Sequence, residues 1–167
     1  MGEKTEKNLS KAFAAESKAS LRNEAFAMKA EKEEYNQAAR LFRAVADSES
    51  VHANRFLLLM RGKIGSTEEN LNAAFENEIK ANADEYPQLI KDAEEEGESK
   101  AVMKALTQTR DVEERHAQLY KSMMNDMMEG RDTDYYVCQI CGYICENEIP
   151  ETCPICGAVQ SRFKAIE

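Results

Sequence analysis

The sequence predicts a bundle of four helices followed by a small β-rich module that binds a metal ion. Three observations lead to this prediction. Apolar residues recur at three- and four-residue spacing through most of the first 130 residues, which is the period of an amphipathic helix. All five cysteines lie between Cys138 and Cys156. The chain has 167 residues with only 7 Gly and 3 Pro, which suits one helical domain and a short second module.

Composition and charge exclude several classes of function. The net charge is −9, from 22 Lys and Arg against 31 Asp and Glu, so the chain lacks the basic face that nucleic-acid binding requires. No apolar run approaches the roughly 20 residues needed to span a bilayer. The N-terminus, MGEKTEKNLSKAF, has no signal-peptide core. We therefore expect a cytoplasmic protein that binds neither membranes nor nucleic acid.

Turn residues and prolines divide the helical part of the chain. The first and second helices carry apolar stripes before the break at 62–65, where Gly62 and Gly65 stand. Ser66 or Thr67 is the expected N-cap of the third helix. Pro87 should bend that helix or interrupt one of its hydrogen bonds, and Gly97 marks the turn before the fourth helix.

A change in composition marks the start of the second module. The segment GRDTD at 130–134 has the composition of a linker, and the β-type residues YYV follow it at 135–137. The sequence therefore predicts a helical domain over residues 1–130, a linker over 131–134 and a metal-binding domain over 135–167.

Six titratable residues stand where the inward stripes of the four helices should be apolar. A carboxylate rarely tolerates a core position unless it is paired or bound to a metal. Glu16, Glu49 and His52 are followed 62, 64 and 64 positions later by a second Glu, Glu and His, so the chain resembles a duplicated helical hairpin. The six residues are Glu16, Glu49, His52, Glu78, Glu113 and His116.

These residue types and spacings match a ligand set for two metal ions. The chain's only histidines, His52 and His116, each follow a glutamate by three positions, so each pair shares a helix face. One glutamate from each of two helices and Glu-x-x-His from each of the others is the pattern of di-iron and di-manganese carboxylate bundles. We predict bridging roles for Glu49 and Glu113, terminal roles for Glu16 and Glu78, and one metal each for His52 and His116.

The cysteines predict a separate mononuclear site. Cys138 and Cys141 form one C-x-x-C-G knuckle, and Cys153 and Cys156 form a second one. Four thiolates at this spacing suit a tetrahedral site for zinc or for a single iron ion. Zinc is the choice on spacing alone, whereas a one-electron iron centre has an obvious use beside a di-iron site. Cys145 is surplus to a tetrahedron, and we expect it to be a free thiol.

Both modules resemble the rubrerythrin family of non-haem iron peroxidases. The helical part is similar to that family in the segments ESKA at 16–19, ESVH at 49–52, EYP at 85–87 and HAQLY at 116–120. The segment from Tyr136 to Gly157 is similar to rubredoxin. The resemblance implies a ferritin-like four-helix bundle with a di-iron site, followed by a rubredoxin-like domain with one iron on Cys138, Cys141, Cys153 and Cys156.

The resemblance also implies an activity. Electrons from rubredoxin or a reductase, indirectly from NADH, would enter at the rubredoxin-like iron, pass to the di-iron site and reduce hydrogen peroxide to water. The implied role is protection against oxidative stress.

One position departs from the family pattern. The family carries a second carboxylate one turn after the ligand of the third helix, and that carboxylate exchanges with the histidine of the first repeat when the irons change oxidation state. Here Ala81 stands at that position, three residues after Glu78. We expect His52 to stay bound in both states. The alternative function is therefore a ferritin-like di-iron oxidase or ferroxidase that uses dioxygen.

The length of one connection predicts how the bundle assembles. If the second and third helices run parallel, as in the family, their connection must span about 30 Å along the bundle and about 10 Å across it. Residues 62–69 reach only about 26 Å when fully extended. We therefore expect a domain-swapped homodimer, in which the first-repeat ligands of one chain meet the second-repeat ligands of the other.

One non-catalytic alternative remains for the whole protein. In it, the cysteine module binds zinc in place of iron and only stabilises the fold.

Overall fold

The computed structural model describes residues 1–127 and 132–167. The described residues form two compact units, Met1–Gly65 and Ser66–Glu167. The predicted boundary between residues 130 and 131, and the first residue of the predicted linker, lie outside the described residues. The domain limits therefore remain a prediction.

The first unit is a hairpin of two long helices. Helix α1 spans Glu3–Lys32 and helix α2 spans Asn36–Leu59. Small side chains let the two helices approach closely, and the Ser20 hydroxyl donates a 2.9 Å hydrogen bond to the carbonyl of Ala46. The buried apolar residues of this unit are Ala27, Ala30, Ala39, Ala46, Ala53 and Met60.

Many large apolar side chains of this hairpin face outward instead. Leu21 is 68% exposed, Leu41 is 64% exposed and Leu58 is 63% exposed. A core made almost entirely of alanine buries little apolar area, because each alanine contributes only one methyl group. The hairpin thus leaves much of its apolar surface exposed within one chain.

The second unit begins with a well-capped helix. Helix α3 spans Thr67–Lys80, and its N-cap is Ser66, one of the two residues predicted. The Glu69 amide donates to the Ser66 hydroxyl over 3.2 Å, and the Ser66 amide donates to the Glu69 carboxylate over 2.7 Å. This reciprocal capping box satisfies two amides that have no partner inside the helix.

The predicted interruption before Pro87 is confirmed as a turn of π-helix. The π segment covers Ala81–Glu85, and helix α4 follows over Tyr86–Glu95 with the proline in its first turn. Proline has no amide hydrogen to donate, so the helix hydrogen-bond pattern must change around it. The Asn82 side chain donates to the Arg110 carbonyl over 2.8 Å, which anchors the π segment to the next helix.

Helix α5 spans Lys100–Asp126 and is the central element of the second unit. It packs against α3, α4 and the π segment. The Ser99 hydroxyl accepts from the Val102 amide over 3.3 Å and caps the helix, after the turn at Gly97, which has a φ of +70°. The buried residues around α5 are Ile90, Ala93, Val112, Ala117 and Leu119.

A three-stranded antiparallel sheet completes the second unit. Its strands are β1 (Tyr135–Cys138), β2 (Ile144–Glu146) and β3 (Phe163–Ile166), in the spatial order β2-β1-β3. A short 3₁₀ turn at Gln160–Arg162 leads into β3. Cys138 is thereby placed at the end of the central strand.

Across the described residues, 1–127 and 132–167, no helix combines the length and the apolar character that crossing a lipid bilayer demands.

Candidate metal centres

The first group of predicted ligands lies within the α1–α2 hairpin. Glu16 is on α1, and Glu49 and His52 are on α2. The His52 Nδ1 atom lies 3.1 Å from Glu49 Oε2 and 3.9 Å from Glu16 Oε2. One ligand atom from each residue falls within 4.8 Å of the others. The first-repeat triad is therefore assembled by the two helices that the sequence predicts.

The second group lies within the other unit, on α3 and α5. Glu78 comes from α3, and Glu113 and His116 come from α5. The His116 Nδ1 atom lies 2.9 Å from Glu113 Oε2 and 3.8 Å from Glu78 Oε1. These ligand atoms also lie within 4.8 Å of one another. The second-repeat triad thus repeats the geometry of the first to within about 0.2 Å in both pairs of distances.

The chemistry of each triad fits a cationic ligand. Two carboxylates and one imidazole nitrogen converge on one point, and all three residues of the second triad are half-buried. Carboxylates that face one another disfavour joint ionisation unless a positive charge lies between them. A divalent metal ion supplies that charge, and oxygen with imidazole nitrogen suits iron or manganese.

The pKa values of the glutamates reflect this crowding. Burial, followed by hydrogen bonding to Glu113 and the charge of that residue, raises the pKa of Glu78 to about 7. In the first triad, hydrogen bonding to Glu49 is the main cause that raises the pKa of Glu16. The same hydrogen bond, together with one to His52, lowers the pKa of Glu49.

The surroundings of His116 are apolar. Its second ring nitrogen, Nε2, is buried and has no hydrogen-bond partner among the described residues. The ring lines a cavity of about 380 Å³, together with Leu71, Leu119, Tyr120, Met123 and Ile144. The Nδ1 atom, by contrast, faces the carboxylates. Nδ1 is therefore the nitrogen placed to bind a metal.

Tyr86 lies close enough to the second triad to interact with it electrostatically. Burial and the Glu113 carboxylate raise the pKa of the Tyr86 hydroxyl, while a hydrogen bond to Thr109 opposes them. The phenol consequently stays protonated near neutral pH. Tyr120 lines the apolar cavity beside His116.

Four of the five cysteines converge in the β module. The Sγ atoms of Cys138 and Cys156 are 3.7 Å apart, and those of Cys141 and Cys153 are 3.6 Å apart. A tetrahedral ion with metal–sulfur bonds of about 2.3 Å places its sulfurs about 3.8 Å apart. The cluster therefore has the dimensions of a tetrahedral thiolate site.

The backbone of the two knuckle loops stabilises the cysteine sulfurs as thiolates. Gly142 and Gly157, which follow the second cysteine of each knuckle, have φ values of +83° and +75°, a backbone region that favours glycine. Burial opposes ionisation of Cys138, but amide hydrogen bonds from Ile140 and Cys141 lower its pKa below the ordinary value. Such amides stabilise a sulfur anion, which is the form that binds a metal.

Cys145 is separate from this cluster. It is only 6% exposed, and its Sγ atom lies 3.8 Å from the Tyr136 carbonyl, to which it donates. Burial raises the pKa of its thiol. The group of four ligating thiols does not include it, in agreement with the prediction of a free thiol.

Sequence reasoning missed the residues that join the β module to α5. The Arg115 guanidinium donates to the Ile144 carbonyl over 3.1 Å and to the Glu146 carboxylate over 2.7 Å. The Gln108 side chain donates to the Ile155 carbonyl over 3.2 Å. Local pattern gave no signal for these contacts, because an arginine or glutamine on a charged helix is usually solvated.

Comparison with known protein families identifies both modules. The family model described as rubrerythrin matches residues 7–124. The model described as the rubredoxin-like domain of rubrerythrin matches residues 136–164. The two matches together cover the helical region and the cysteine module.

Individual relatives match over nearly the whole chain. A rubrerythrin of Porphyromonas gingivalis is 35% identical over 99% of this chain and 92% of its own length. A nigerythrin of Nitratidesulfovibrio vulgaris is 36% identical over 96% of this chain and 86% of its own length. Among solved structures, a mixed-valence state of nigerythrin is 34% identical to this chain and has a TM-score of 0.58. The match covers 97% of this chain and 86% of the nigerythrin chain. A fully reduced, all-ferrous nigerythrin has the same TM-score at 32% identity.

Proposed function

The chain belongs to the rubrerythrin family, and from that premise we propose that it reduces hydrogen peroxide to water. The observation that carries the proposal is the combination of two carboxylate–histidine triads and one four-thiolate cluster in a single chain. The family match supports a di-iron oxidoreductase with a rubredoxin-like domain. A redox reaction that takes two electrons needs both a reactive centre and a route for electrons to reach it.

The six triad residues hold the reactive centre in this proposal. Four carboxylates offset the four positive charges of two ferrous ions, and two imidazoles complete the ligand set. Glu49 and Glu113 would bridge the ions, Glu16 and Glu78 would each bind one ion, and His52 and His116 would each supply one imidazole nitrogen. When bound, the iron pair supplies the two electrons that split the O–O bond, and two protons complete two molecules of water.

Residues around the second triad prepare it for this chemistry. The cavity beside His116 is lined mostly by apolar side chains, which lowers the local polarity around the imidazole and strengthens electrostatic contacts there. The protonated Tyr86 hydroxyl lies near the Glu113 carboxylate. The hydroxyl hydrogen-bonds to Thr109, and as a neutral phenol it adds no further negative charge beside Glu113.

The four-cysteine cluster is the entry point for electrons. Cys138, Cys141, Cys153 and Cys156 would hold one iron ion, which would supply a one-electron redox centre. The donor is rubredoxin or a reductase, which obtains its electrons from NADH. Because the ligating cysteines must stay reduced, the protein works in a reducing compartment, which we take to be the cytoplasm.

A domain-swapped homodimer completes the di-iron site. Each compact unit contains three of the six ligands. From Glu49 to the end of α2 and from the start of α3 to Glu78, the helices rise about 31 Å in total. The connection from Leu59 to Thr67 spans at most about 28 Å. That connection is too short for a parallel crossover within one chain. The exposed leucines of the α1–α2 hairpin further support a partner chain that covers them.

The proposal is tested by anaerobic stopped-flow mixing of the iron-loaded, fully reduced protein. The reduced protein is mixed separately with hydrogen peroxide and with dioxygen, and the colour of the oxidised iron in the four-cysteine cluster is followed. We expect rapid reoxidation by peroxide and slow reoxidation by dioxygen. Faster reoxidation by dioxygen would instead assign the protein to the oxidase class, and a cysteine cluster that takes up only zinc would remove the electron route.

A matched control separates the two centres. Protein with zinc in the cysteine cluster and iron in the triads retains the peroxide site but lacks the one-electron relay. It should consume about one equivalent of peroxide per reduced iron pair and then stop. Continued turnover with the external donor would show that electrons bypass the cysteine cluster.

A further inference from the structure

Helix α5 presents two neighbouring faces with different partners. Glu113 and His116 point toward the second triad. Gln108 and Arg115 hydrogen-bond to the cysteine module, and Val112 lies beside Gly142 of that module. An α-helix turns by about 100° per residue. Gln108, Val112 and Arg115 therefore share one face of α5, and that face is rotated by roughly 100° about the helix axis from the face of the two ligands. Helix α5 therefore carries both ligands of a carboxylate–histidine triad and the surface on which the cysteine module docks.

The contacts on the docking face reach the loops and strand beside the thiolates. Arg115 bonds to Ile144 and Glu146, the first and last residues of β2. Gln108 bonds to the carbonyl of Ile155, between the two cysteines of the second knuckle. A Cβ on Gly142, directly after Cys141, would lie 3.8 Å from the Val112 side chain. Both knuckles thus lie close to α5.

Arg115 makes the strongest of these contacts. Its side chain is 24% exposed and that of Glu146 is 32% exposed, so the ion pair is partly shielded from water. The guanidinium holds two acceptors at once, a carbonyl and a carboxylate. Charge-assisted bonds of this kind exceed neutral ones in strength and fix orientation. Arg115 also directly precedes His116, so its position is tied to a ligand of the triad.

We propose that Arg115 is a positioning residue that fixes the cysteine module on α5, beside the Glu78–Glu113–His116 triad. This assignment rests on the proposed function, in which one electron leaves the iron of the four-cysteine cluster, oxidised from ferrous to ferric, and reduces one ferric ion of the carboxylate site. The guanidinium takes no part in the transfer. It keeps the distance between the two centres short, and Glu146 is its partner.

The first test measures docking without any redox chemistry. Zinc-loaded protein is compared as wild type, Arg115→Gln and Arg110→Gln by amide hydrogen exchange of β2 and the two knuckle loops. Arg110 is a matched control on the same helix, because its guanidinium bonds only to Asp111 among the contacts of the described chain. We expect about tenfold faster exchange in the module of Arg115→Gln, since loss of a charge-assisted bond releases it more often. Exchange unchanged from wild type would overturn the proposal.

The second test measures the consequence for electron transfer. In iron-loaded protein, the rate at which the ferrous four-cysteine centre loses its electron to the oxidised triads should fall about tenfold in Arg115→Gln. Arg115→Lys should recover part of the rate, while the spectrum and iron content of both centres stay at wild-type values. An unchanged rate alongside faster exchange would show that docking does not limit transfer. Wild-type protein that never reduces peroxide would count against the proposed function alone, because the exchange result does not depend on it.

Discussion

The Nδ1 atom of His116 lies 3.8 Å from the Glu78 carboxylate, which belongs to a different helix and is 38 positions earlier in the chain. The corresponding distance in the first repeat, from His52 to Glu16, is 3.9 Å. The internal repeat in the sequence is therefore also a repeat in three dimensions. Each half of the chain builds the same three-ligand group from a glutamate on one helix and Glu-x-x-His on another.

Loss of Glu113, a bridging ligand in the proposed site, should strongly weaken iron binding. Glu113→Gln replaces a carboxylate that lies 2.9 Å from His116, whereas Glu114→Gln alters the adjacent carboxylate, which lies outside both triads. Loss of a residue that only hydrogen-bonds to a metal ligand weakens metal binding ~10–100-fold. We expect Glu113→Gln, which alters a ligand itself, to weaken iron binding by more than this. Iron per chain after gel filtration measures this effect. Equal iron content in the two variants would exclude Glu113 as a ligand.

The raised pKa of Glu78 predicts how pH affects the metal-free protein. Its pKa rises from 4.5 to about 7 on folding, so the folded state holds a proton that the unfolded state has lost in this window. The contribution of Glu78 to stability is thus fully present below about pH 4.5 and is lost as pH rises toward 7. Melting temperatures of the apo-protein should fall across this window more steeply than those of Glu78→Gln.

Metal binding should show the opposite trend with pH. Because Glu78 must lose its proton to bind a cation, affinity for ferrous or manganous ions should rise as pH increases through about 7. Calorimetric titration at several pH values measures the slope. An affinity that does not change with pH would contradict the protonated state of Glu78.

The capping box of α3 makes a prediction about stability. Ser66→Ala removes the hydroxyl that accepts from the Glu69 amide and should lower the free energy of unfolding by about 1 kcal/mol. Ser66→Gly should lower the free energy of unfolding by only a few tenths of about 1 kcal/mol. Chemical denaturation of the zinc-loaded protein distinguishes the two. Equal losses for both variants would mean that the hydroxyl is not the stabilising group.

Much of the site could be predicted from the sequence because ligand chemistry restricts residue types and spacing. Glu-x-x-His places both groups on one helix face, and two C-x-x-C-G knuckles require four convergent thiols. Ser66 as a helix start and the interruption before Pro87 follow from local backbone rules. In each case the cause lies within a few residues of the effect.

The rest depends on contacts between distant segments, which local pattern does not encode. Arg115 bonds to residues 29 and 31 positions away, and its sequence neighbourhood resembles any charged helix surface. The Asn82 side chain, within the π segment at Ala81–Glu85, bonds to the Arg110 carbonyl 28 positions away. Burial of Cys145 likewise follows from strand pairing with Tyr136.

Ala81 makes a prediction about His52. Its methyl group has no oxygen that could replace the imidazole on a metal, so His52 should bind iron in both the oxidised and the reduced protein. Crystal structures of both states at matched pH test this point, with Ala81→Glu as the comparison. We expect the imidazole to move only in Ala81→Glu. A shift of His52 away from iron in the unaltered protein would show that another group takes its place.

The most direct test of the whole account is a mixed dimer of two inactive chains. One chain carries Glu49→Gln and His52→Ala, and the other carries Glu113→Gln and His116→Ala, with different tags so that the heterodimer can be purified. If the half-sites meet across chains, one of the two sites in the heterodimer is intact. It should bind about one iron pair and restore about half of the wild-type peroxidase activity per dimer. If each site forms within its own chain, both sites are defective, and a heterodimer without iron pairs or activity would contradict the account.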